Sequence, residues 1–188
     1  MQSLKEKYNK EVVPEMMNKF GFKNRMAVPS IKKVVLNSSF GKEVVGKSAS
    51  EREKVQNLIM KDLSLIAGQK TNLVKSKKSI AGFKLREGLE IAAVVTLRKN
   101  RMWDFLERLI YLSLPRTRDF KGIDLKSVDK QGNMSLGFKE HISFPEIFTE
   151  KEKTIFGFQI TIVLNAKNKE EGLELYKLLG FPLKETSK

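Results

Sequence analysis

Residues 156–164 read FGFQITIVL and carry the clearest β pattern in the chain. Apolar side chains alternate there with Gln159 and Thr161. Successive side chains of a strand point to opposite faces of the sheet, so this segment has one apolar and one polar face. Such alternation is typical of an antiparallel sheet that covers its core on one face and leaves the other face open.

Four further segments have strand patterns: residues 31–37, 80–86, 91–98 and 132–139. Splitting them by alternation separates a core face from an open face. The open face is predicted to carry mostly cationic and hydrogen-bonding side chains, namely Lys33, Asn37, Lys84, Arg86, Thr96 and Arg98. The opposite face of segment 80–86, with Ala81, Phe83 and Leu85, is predicted to join the core.

Helical spacing and capping signals predict the helices. The signals give an N-terminal helix capped by Ser3 and Glu6, a second helix from Pro14 to Gly21, one from a Ser50–Glu53 capping box to Gly68, one over residues 101–113 that ends before Pro115, and one from Asn168 to Gly180. Strands and helices are mixed without βαβ alternation. We therefore expect an α+β fold, with helices packed on one face of a largely antiparallel sheet and the other face open. No linker-like segment divides residues 1–188, which predicts a single domain.

Composition points to binding rather than catalysis. The 188 residues include 36 Lys and Arg against 22 Asp and Glu, for a net charge of +14. A polyanionic partner is the first expectation for such a chain. The absence of cysteine and the presence of one histidine, His141, exclude thiolate and multi-histidine metal sites. We expect no enzyme activity, no cofactor and no metal, and we expect His141 to be a surface or loop residue.

No apolar segment is long enough to span a bilayer, and the N-terminus has no signal-peptide pattern. These observations predict a cytoplasmic protein that does not bind a membrane.

The charge is concentrated in the first hundred residues, which hold 21 basic and nine acidic side chains. Its densest part is the segment from Lys75 to Ser79, in which Lys77 and Lys78 lie among serines. Lysine and hydroxyl side chains are the groups that contact phosphates. The predicted open face lacks the exposed aromatic residues that stack single-stranded bases, which favours a structured RNA as the partner.

A competing motif lies between Gly41 and Ser48, where GKEVVGKS matches the phosphate-binding loop of nucleotide-binding enzymes. Two observations argue against it. The preceding segment contains Lys32 and Lys33, whereas the strand before such a loop is a buried apolar run. No later strand ends in the aspartate that would hold magnesium. A nucleotide-binding enzyme remains the alternative hypothesis.

Several ordered motifs resemble one known family over essentially the whole chain. They are PSIKKVVLN at 29–37, AGQK at 67–70, KKSIAGFKLREG at 77–88, VTLR at 95–98, MWDFL at 102–106, LPRTRDFKG at 114–122 and FPEI at 144–147. The chain is similar in these motifs to the universal large-ribosomal-subunit protein five family, in its bacterial form.

The resemblance implies a protein that binds 5S ribosomal RNA (5S rRNA) and helps attach it in the central protuberance of the large subunit. The family's RNA-contacting polar positions fall on Asn37, Gln69 and Thr96, and its loop that contacts the P-site transfer RNA (tRNA) falls on Lys75, Ser76, Lys77, Lys78 and Ser79. With the basic residues nearby, the implied 5S rRNA site comprises Lys33, Asn37, Gln69, Lys70, Lys84, Arg86, Thr96 and Arg98.

Further partners follow from the same resemblance: large-subunit rRNA, other proteins of the central protuberance, and small-subunit protein thirteen across a bridge between the subunits. The less basic part of the chain offers acids for that bridge, namely Asp119, Asp124, Asp129, Glu140, Glu146 and Glu150. The sequence departs from the pattern of that family at Ser39, Lys42, Thr71, Gln159 and the 128–133 turn.

Overall fold

The computed structural model describes residues 3–147 and 155–184. Its strands are β1 Ile31–Ser39, β2 Asn72–Lys75, β3 Glu90–Leu97, β4 Met134–Phe138 and β5 Phe158–Leu164. Its helices are α1 Leu4–Lys7, α2 Val13–Phe20, α3 Gly41–Val44, α4 Ala49–Ala67, α5 Lys99–Arg108, α6 Leu114–Arg116 and α7 Lys169–Leu179. Short 3₁₀ turns lie at Arg25–Ala27, Ala81–Phe83, Leu125–Ser127 and His141–Ser143.

The strands form one antiparallel sheet in the order β2-β3-β1-β5-β4. The edge strand β2 pairs with β3, with Asn72 opposite Val94 and Val74 opposite Ala92. A bulge between Val74 and Lys75 interrupts this register. The expected α+β fold with an open sheet is confirmed.

Burial follows the predicted alternation along the strands. On β3 the buried side chains are Ala93, Val95 and Leu97. On β5 the buried ones are Phe158, Ile160, Ile162 and Leu164, while Gln159 is exposed. The polar sides of both strands are therefore the ones that the sequence predicts.

The predicted strand over residues 80–86 is wrong. Only Ile80 and Leu85 pair, in a single antiparallel bridge, and a 3₁₀ turn occupies Ala81–Phe83 between them. Phe83, expected in the core, is 73% exposed. The partner of β3 is instead β2, a four-residue strand whose pattern is too short to stand out in the sequence.

The contacts of the chain divide it into two compact units. The first comprises Met1–Val34, Arg98–Leu136 and Thr161–Lys188, and the second comprises Val35–Leu97 and Gly137–Ile160. Strands β1, β4 and β5 contribute residues to both units. The expectation that residues 1–188 form a single domain stays a prediction.

In the first unit, two π-helical turns carry helices through prolines. The turn Tyr8–Val12 joins α1 to α2 one residue before Pro14, and Leu109–Ser113 joins α5 to α6 just before Pro115. A proline lacks the N–H donor of a helix and its ring clashes with the carbonyl four residues earlier. The wider π turn lies where that clash would fall. The second helix predicted from Pro14 to Gly21 corresponds to α2, which carries Pro14 in its first turn and ends at Gly21. The predicted helix end before Pro115 is wrong, because α6 continues through that proline.

The first unit also brings two glycines into backbone contact. A Cβ atom on Gly172 of α7 would lie 2.6 Å from the Cα of Gly132. Gly132 itself has a φ of +81° and closes a turn that begins at Asp129. The carboxylate of Asp129 accepts hydrogen bonds from the backbone N–H groups of Gln131 and Asn133, and from the Asn133 side chain. This turn departs from the family pattern in sequence but is internally well bonded.

The Asp129 turn predicts a pH-dependent contribution to stability. Slight burial raises the pKa of the Asp129 carboxyl, but the hydrogen bonds from Asn133 outweigh it and leave the pKa below its usual value. A depressed native pKa stabilises the fold above the unfolded pKa, near 4, and the gain is lost as the pH falls through the native pKa. We expect Asp129→Asn to lower the urea midpoint at pH 7 and the difference from wild type to shrink below about pH 4. A difference independent of pH would contradict this assignment.

In the second unit, aromatic rings pack at the end of the sheet. Phe138 stacks on Phe158 with ring centroids 5.4 Å apart and meets the edge of Phe144 at 5.6 Å. His141 is 1% exposed and its ring stacks on Phe156 at 4.2 Å. Its Nδ1 accepts a hydrogen bond from the Phe156 N–H, at 3.3 Å. The expectation that His141 lies at the surface is therefore wrong. Its ring is buried in the core, and its Nδ1 atom has a hydrogen-bond partner.

Candidate nucleic-acid interface

Strand β1 places Asn37 on the open face of the sheet. Asn37 is half-buried, while its neighbours Leu36 and Ser38 point to the core and are buried. The Oδ1 atom of Asn37 is screened from solvent and has no hydrogen-bond partner among the described residues. An unsatisfied buried acceptor costs about 1–3 kcal/mol, whereas the part of Asn37 that stays exposed on the open face is a candidate for contact with a partner outside the protein.

Gln69 and Thr96 are joined directly. Helix α4 ends at Gly68, whose φ of +64° turns the chain away from the helix axis. The next residue, Gln69, donates from Nε2 to the backbone carbonyl of Thr96 on β3, at 3.4 Å. The structure thus brings two of the three predicted recognition residues together, and Lys70 is exposed beside them.

Thr71 fixes this corner in position. It is 0% exposed, its N–H donates to the Ser64 Oγ at 3.1 Å, and its hydroxyl donates to the Met60 carbonyl at 3.0 Å. A proline at this position would have no N–H to donate. The departure at Thr71 therefore comes with its own hydrogen bonds to α4.

The basic segment from Lys75 to Ser79 follows β2. The Lys75 ammonium lies 3.9 Å from the Glu90 carboxylate in an exposed pair, which contributes little. Lys77 and Lys78 are exposed, and neither forms an ion pair within residues 3–147 and 155–184. Two cations of this segment are therefore available to a polyanion.

The serines of the segment are used inside the loop. The Ser76 hydroxyl is buried and donates to the Lys78 carbonyl at 2.8 Å, and the Ser79 hydroxyl accepts from the Glu87 N–H at 2.9 Å. Both hold the loop backbone in shape, and their contact with RNA stays a prediction.

Lys84 and Arg86 do not lie on the sheet, which corrects the expectation drawn from alternation. They line a cleft of about 570 Å³ together with Lys47 and Arg52, with Glu87 as the one acid in its wall. Lys84 has a φ of +50°, which turns its side chain out of any strand alternation. The sequence does not predict Lys47 or Arg52 as part of the RNA site. Lys47 belongs to the apparent nucleotide-binding loop, and no sequence pattern links Arg52 to Lys84.

Lys33 and Arg98 belong to the first unit. Lys33 is half-buried on β1, on the same side of that strand as Asn37, and Arg98 is exposed at the N-cap of α5. Lys33 therefore keeps the strand position that the sequence predicts, whereas Arg98 lies one residue beyond the end of β3.

The apparent nucleotide-binding loop has the wrong geometry. Gly41–Val44 is helical, and Ser48 caps α4 by accepting a hydrogen bond from the Glu51 N–H. The Glu51 carboxylate accepts in return from the Ser48 N–H at 3.0 Å, and hydrogen bonds from Ser48 lower the pKa of Glu51. A carboxylate thus occupies the helix end where a nucleotide phosphate would bind. This capping box also replaces the predicted one at Ser50 and Glu53.

Other site types are absent from the described part of the chain. Within it, no group of three or more His, Asp or Glu side chains could hold a metal ion. The helices seen there are too short or too polar to cross a lipid bilayer. The described structure thus combines an α+β fold with a partly exposed polar side of the sheet and a cationic loop.

Comparison with known proteins identifies the family. The family model described as "Ribosomal protein L5" matches residues 24–86, and the model for the C-terminus of the same ribosomal protein family matches residues 90–183. The chain is 49% identical over 184 residues to "Large ribosomal subunit protein uL5" of Geotalea daltonii, covering 98% of this chain and 99% of the relative. It is 49% identical to "Large ribosomal subunit protein uL5c" of Tetradesmus obliquus, covering 96% and 97%.

The chain therefore belongs to the ribosomal protein L5 family. It is a structural protein of the large ribosomal subunit and not an enzyme. The resemblance seen in the sequence motifs is confirmed.

Proposed function

We propose that this protein binds 5S rRNA through the open face of its sheet and helps hold that RNA in the central protuberance of the large subunit. The observation that carries the proposal is the position of Asn37 and Thr96, which lie partly exposed on the polar sides of the neighbouring strands β1 and β3. A structured RNA offers 2′-hydroxyl groups along its shallow minor groove, and an amide and a hydroxyl side chain are groups that can hydrogen-bond to them.

Gln69 and Thr96 complete the recognition surface. The hydrogen bond from Gln69 Nε2 to the Thr96 backbone carbonyl holds the Gln69 side chain against β3, next to the Thr96 side chain. Lys33, Lys70, Lys84, Arg86 and Arg98 supply attraction to phosphates without sequence preference. We assign specificity to the uncharged residues and affinity to the cations.

We further propose that the exposed loop from Lys75 to Ser79 contacts P-site tRNA. Its lysines extend from a backbone that is tied to the return strand: the Ser76 N–H donates to the Leu89 carbonyl at 2.7 Å, and the Gly88 N–H donates to the Ser76 carbonyl at 3.0 Å. A fixed cationic loop suits contact with an RNA that arrives after the subunit is assembled.

The bridge to small-subunit protein thirteen is a third proposal. Asp124 accepts a hydrogen bond from the Lys126 N–H, and Asp129 accepts one from the Asn133 N–H. These hydrogen bonds hold both carboxylates in position on the surface. Glu150 lies outside the described residues. Contacts with large-subunit rRNA and with other proteins of the central protuberance belong to the same proposal.

The sheet-face proposal is tested by the double variant Asn37→Ala and Thr96→Ala. Two lost polar contacts at about 1 kcal/mol or slightly more each correspond to a 10- to 100-fold weaker affinity for folded 5S rRNA. Because no charge changes, the slope of log affinity against log salt should stay the same. Affinity and slope are measured by filter binding over a series of salt concentrations.

A matched control removes two exposed amides elsewhere, with Asn100→Ala and Gln131→Ala. This control should bind 5S rRNA like the wild type. Wild-type affinity of the Asn37 and Thr96 double variant would reject the sheet face as the 5S rRNA site.

A further inference from the structure

The loop that follows the basic segment ends in an exposed apolar tip. Phe83 is 73% exposed and Ile80 is 44% exposed. Phe83 is the one phenylalanine with so much exposed surface among the residues that the structure describes. An aromatic ring in this position gains nothing from the core, so its apolar surface is free for a partner.

The tip is fixed by its own backbone. Ile80 and Leu85 exchange two hydrogen bonds of 2.9 and 3.1 Å. Within that bridge, the Phe83 N–H donates to the Ile80 carbonyl at 3.2 Å and the Lys84 N–H donates to the Ala81 carbonyl at 2.9 Å. Because these bonds shape the turn in the free protein, presenting Phe83 to a partner costs little further ordering.

The charges around the tip identify the partner's chemistry. Lys77 and Lys78 of the tRNA-contacting segment precede it and supply cations, and Glu87 is the one acid between Lys77 and Gly88. Lys84 and Arg86, which we assign to the 5S rRNA site, follow the tip. Cations that bind phosphates beside an aromatic ring form the arrangement with which proteins hold nucleic acid bases. A paired base is already stacked inside its helix, so the ring requires an unpaired one.

We propose that Phe83, flanked by Ile80, stacks on an unpaired nucleobase of the tRNA that this loop contacts. The inference rests on the proposed contact between the loop and tRNA and adds to it a ligand and a geometry. The lysines hold the RNA backbone, and the phenyl ring takes one base from a loop of the folded RNA.

The test measures tRNA binding to the P site of ribosomes whose large subunits carry Phe83 variants. Stacking on one base corresponds to a loss of about 5- to 100-fold in affinity for Phe83→Ala. Phe83→Trp should keep the affinity, and Phe83→Leu, which is apolar but cannot stack, should lose most of it. Met26→Ala, which removes another highly exposed apolar side chain, should have no effect. Thermal unfolding of each free variant should match the wild type, because the ring has no core contacts to lose.

A spectroscopic measurement checks stacking independently. In a Trp103→Phe background, the Phe83→Trp side chain is the single tryptophan, and its fluorescence should be quenched by folded tRNA but not by a fully paired RNA duplex. Equal quenching by both RNAs would overturn the assignment to an unpaired base.

The binding results separate two kinds of failure. If Lys75, Lys77 and Lys78 are needed for tRNA binding but Phe83→Ala binds normally, or if Phe83→Leu binds as well as Phe83→Trp, the stacking proposal is wrong and the loop contact stands. If neither set of residues matters, the loop contact itself is wrong.

Discussion

Gly172→Ala is expected to lower the free energy of unfolding by about 1–3 kcal/mol, the range for overpacking a filled site. The direction is informative, because alanine inside an exposed helix normally stabilises it by up to about 1 kcal/mol relative to glycine. Here the added Cβ would lie 2.6 Å from the Cα and 2.9 Å from the carbonyl oxygen of Gly132. Both are backbone atoms of a bonded turn, so neither can rotate away.

The measurement is urea unfolding followed by circular dichroism. Glu170→Ala, at an exposed position of the same helix, controls for helix propensity and should change the free energy by less than about 0.5 kcal/mol. If Gly172→Ala were as stable as the wild type or more stable, the close approach of α7 to the 129–133 turn would be wrong.

The triple variant Lys75→Ala, Lys77→Ala and Lys78→Ala is expected to weaken P-site tRNA binding by about 10- to 100-fold near 0.1 M salt. Each lysine that neutralises a phosphate releases a condensed counterion, and removing three should reduce the salt slope by about two to three units. The side chains of Lys77 and Lys78 are exposed and have no ion-pair partner in the described structure, so no internal contact is lost with them.

A second triple variant with the same charge change, Lys10→Ala, Lys23→Ala and Lys61→Ala, provides the control. It should leave tRNA binding close to wild type. The loop variant should also keep most of its affinity for isolated 5S rRNA. Equal loss of both RNAs would show that the loop belongs to the 5S rRNA site rather than to a separate tRNA contact.

The sequence predicts the central strands and their faces well, because alternation in β3, in β5 and in β1 from Lys33 onward reflects burial directly. Asn37 and Thr96 occupy the predicted side of their strands for this reason. Helix ends marked by a left-handed glycine, such as Gly68 and Gly180, are equally readable.

Side-chain alternation predicts a strand wrongly where the segment has no neighbouring strand to pair with. Residues 80–86 alternate as a strand would, yet a single bridge and a tight turn account for them, while the four-residue β2 takes the place beside β3. Alternation alone cannot say whether a partner strand is within reach. The same limit explains why alternation places Lys84 and Arg86 on the sheet.

The local rules for helix ends also fail where a wider π-helical turn lets a helix continue through a proline. Hydrophobic spacing does not distinguish an α turn from a π turn over five residues, so Pro115 looks like a helix end in the sequence. The burial of His141 depends on Phe156, fifteen residues away, and no local pattern joins the two.

The short edge strand β2 limits the pairing of the sheet with a second copy of the free protein. An exposed edge strand offers N–H and C=O groups to any neighbouring strand and is a common starting point for self-association. This edge is only four residues long, its register is broken at Val74 and Lys75, and it ends in a charged side chain. A second copy therefore finds no regular ladder to extend along this edge of the sheet.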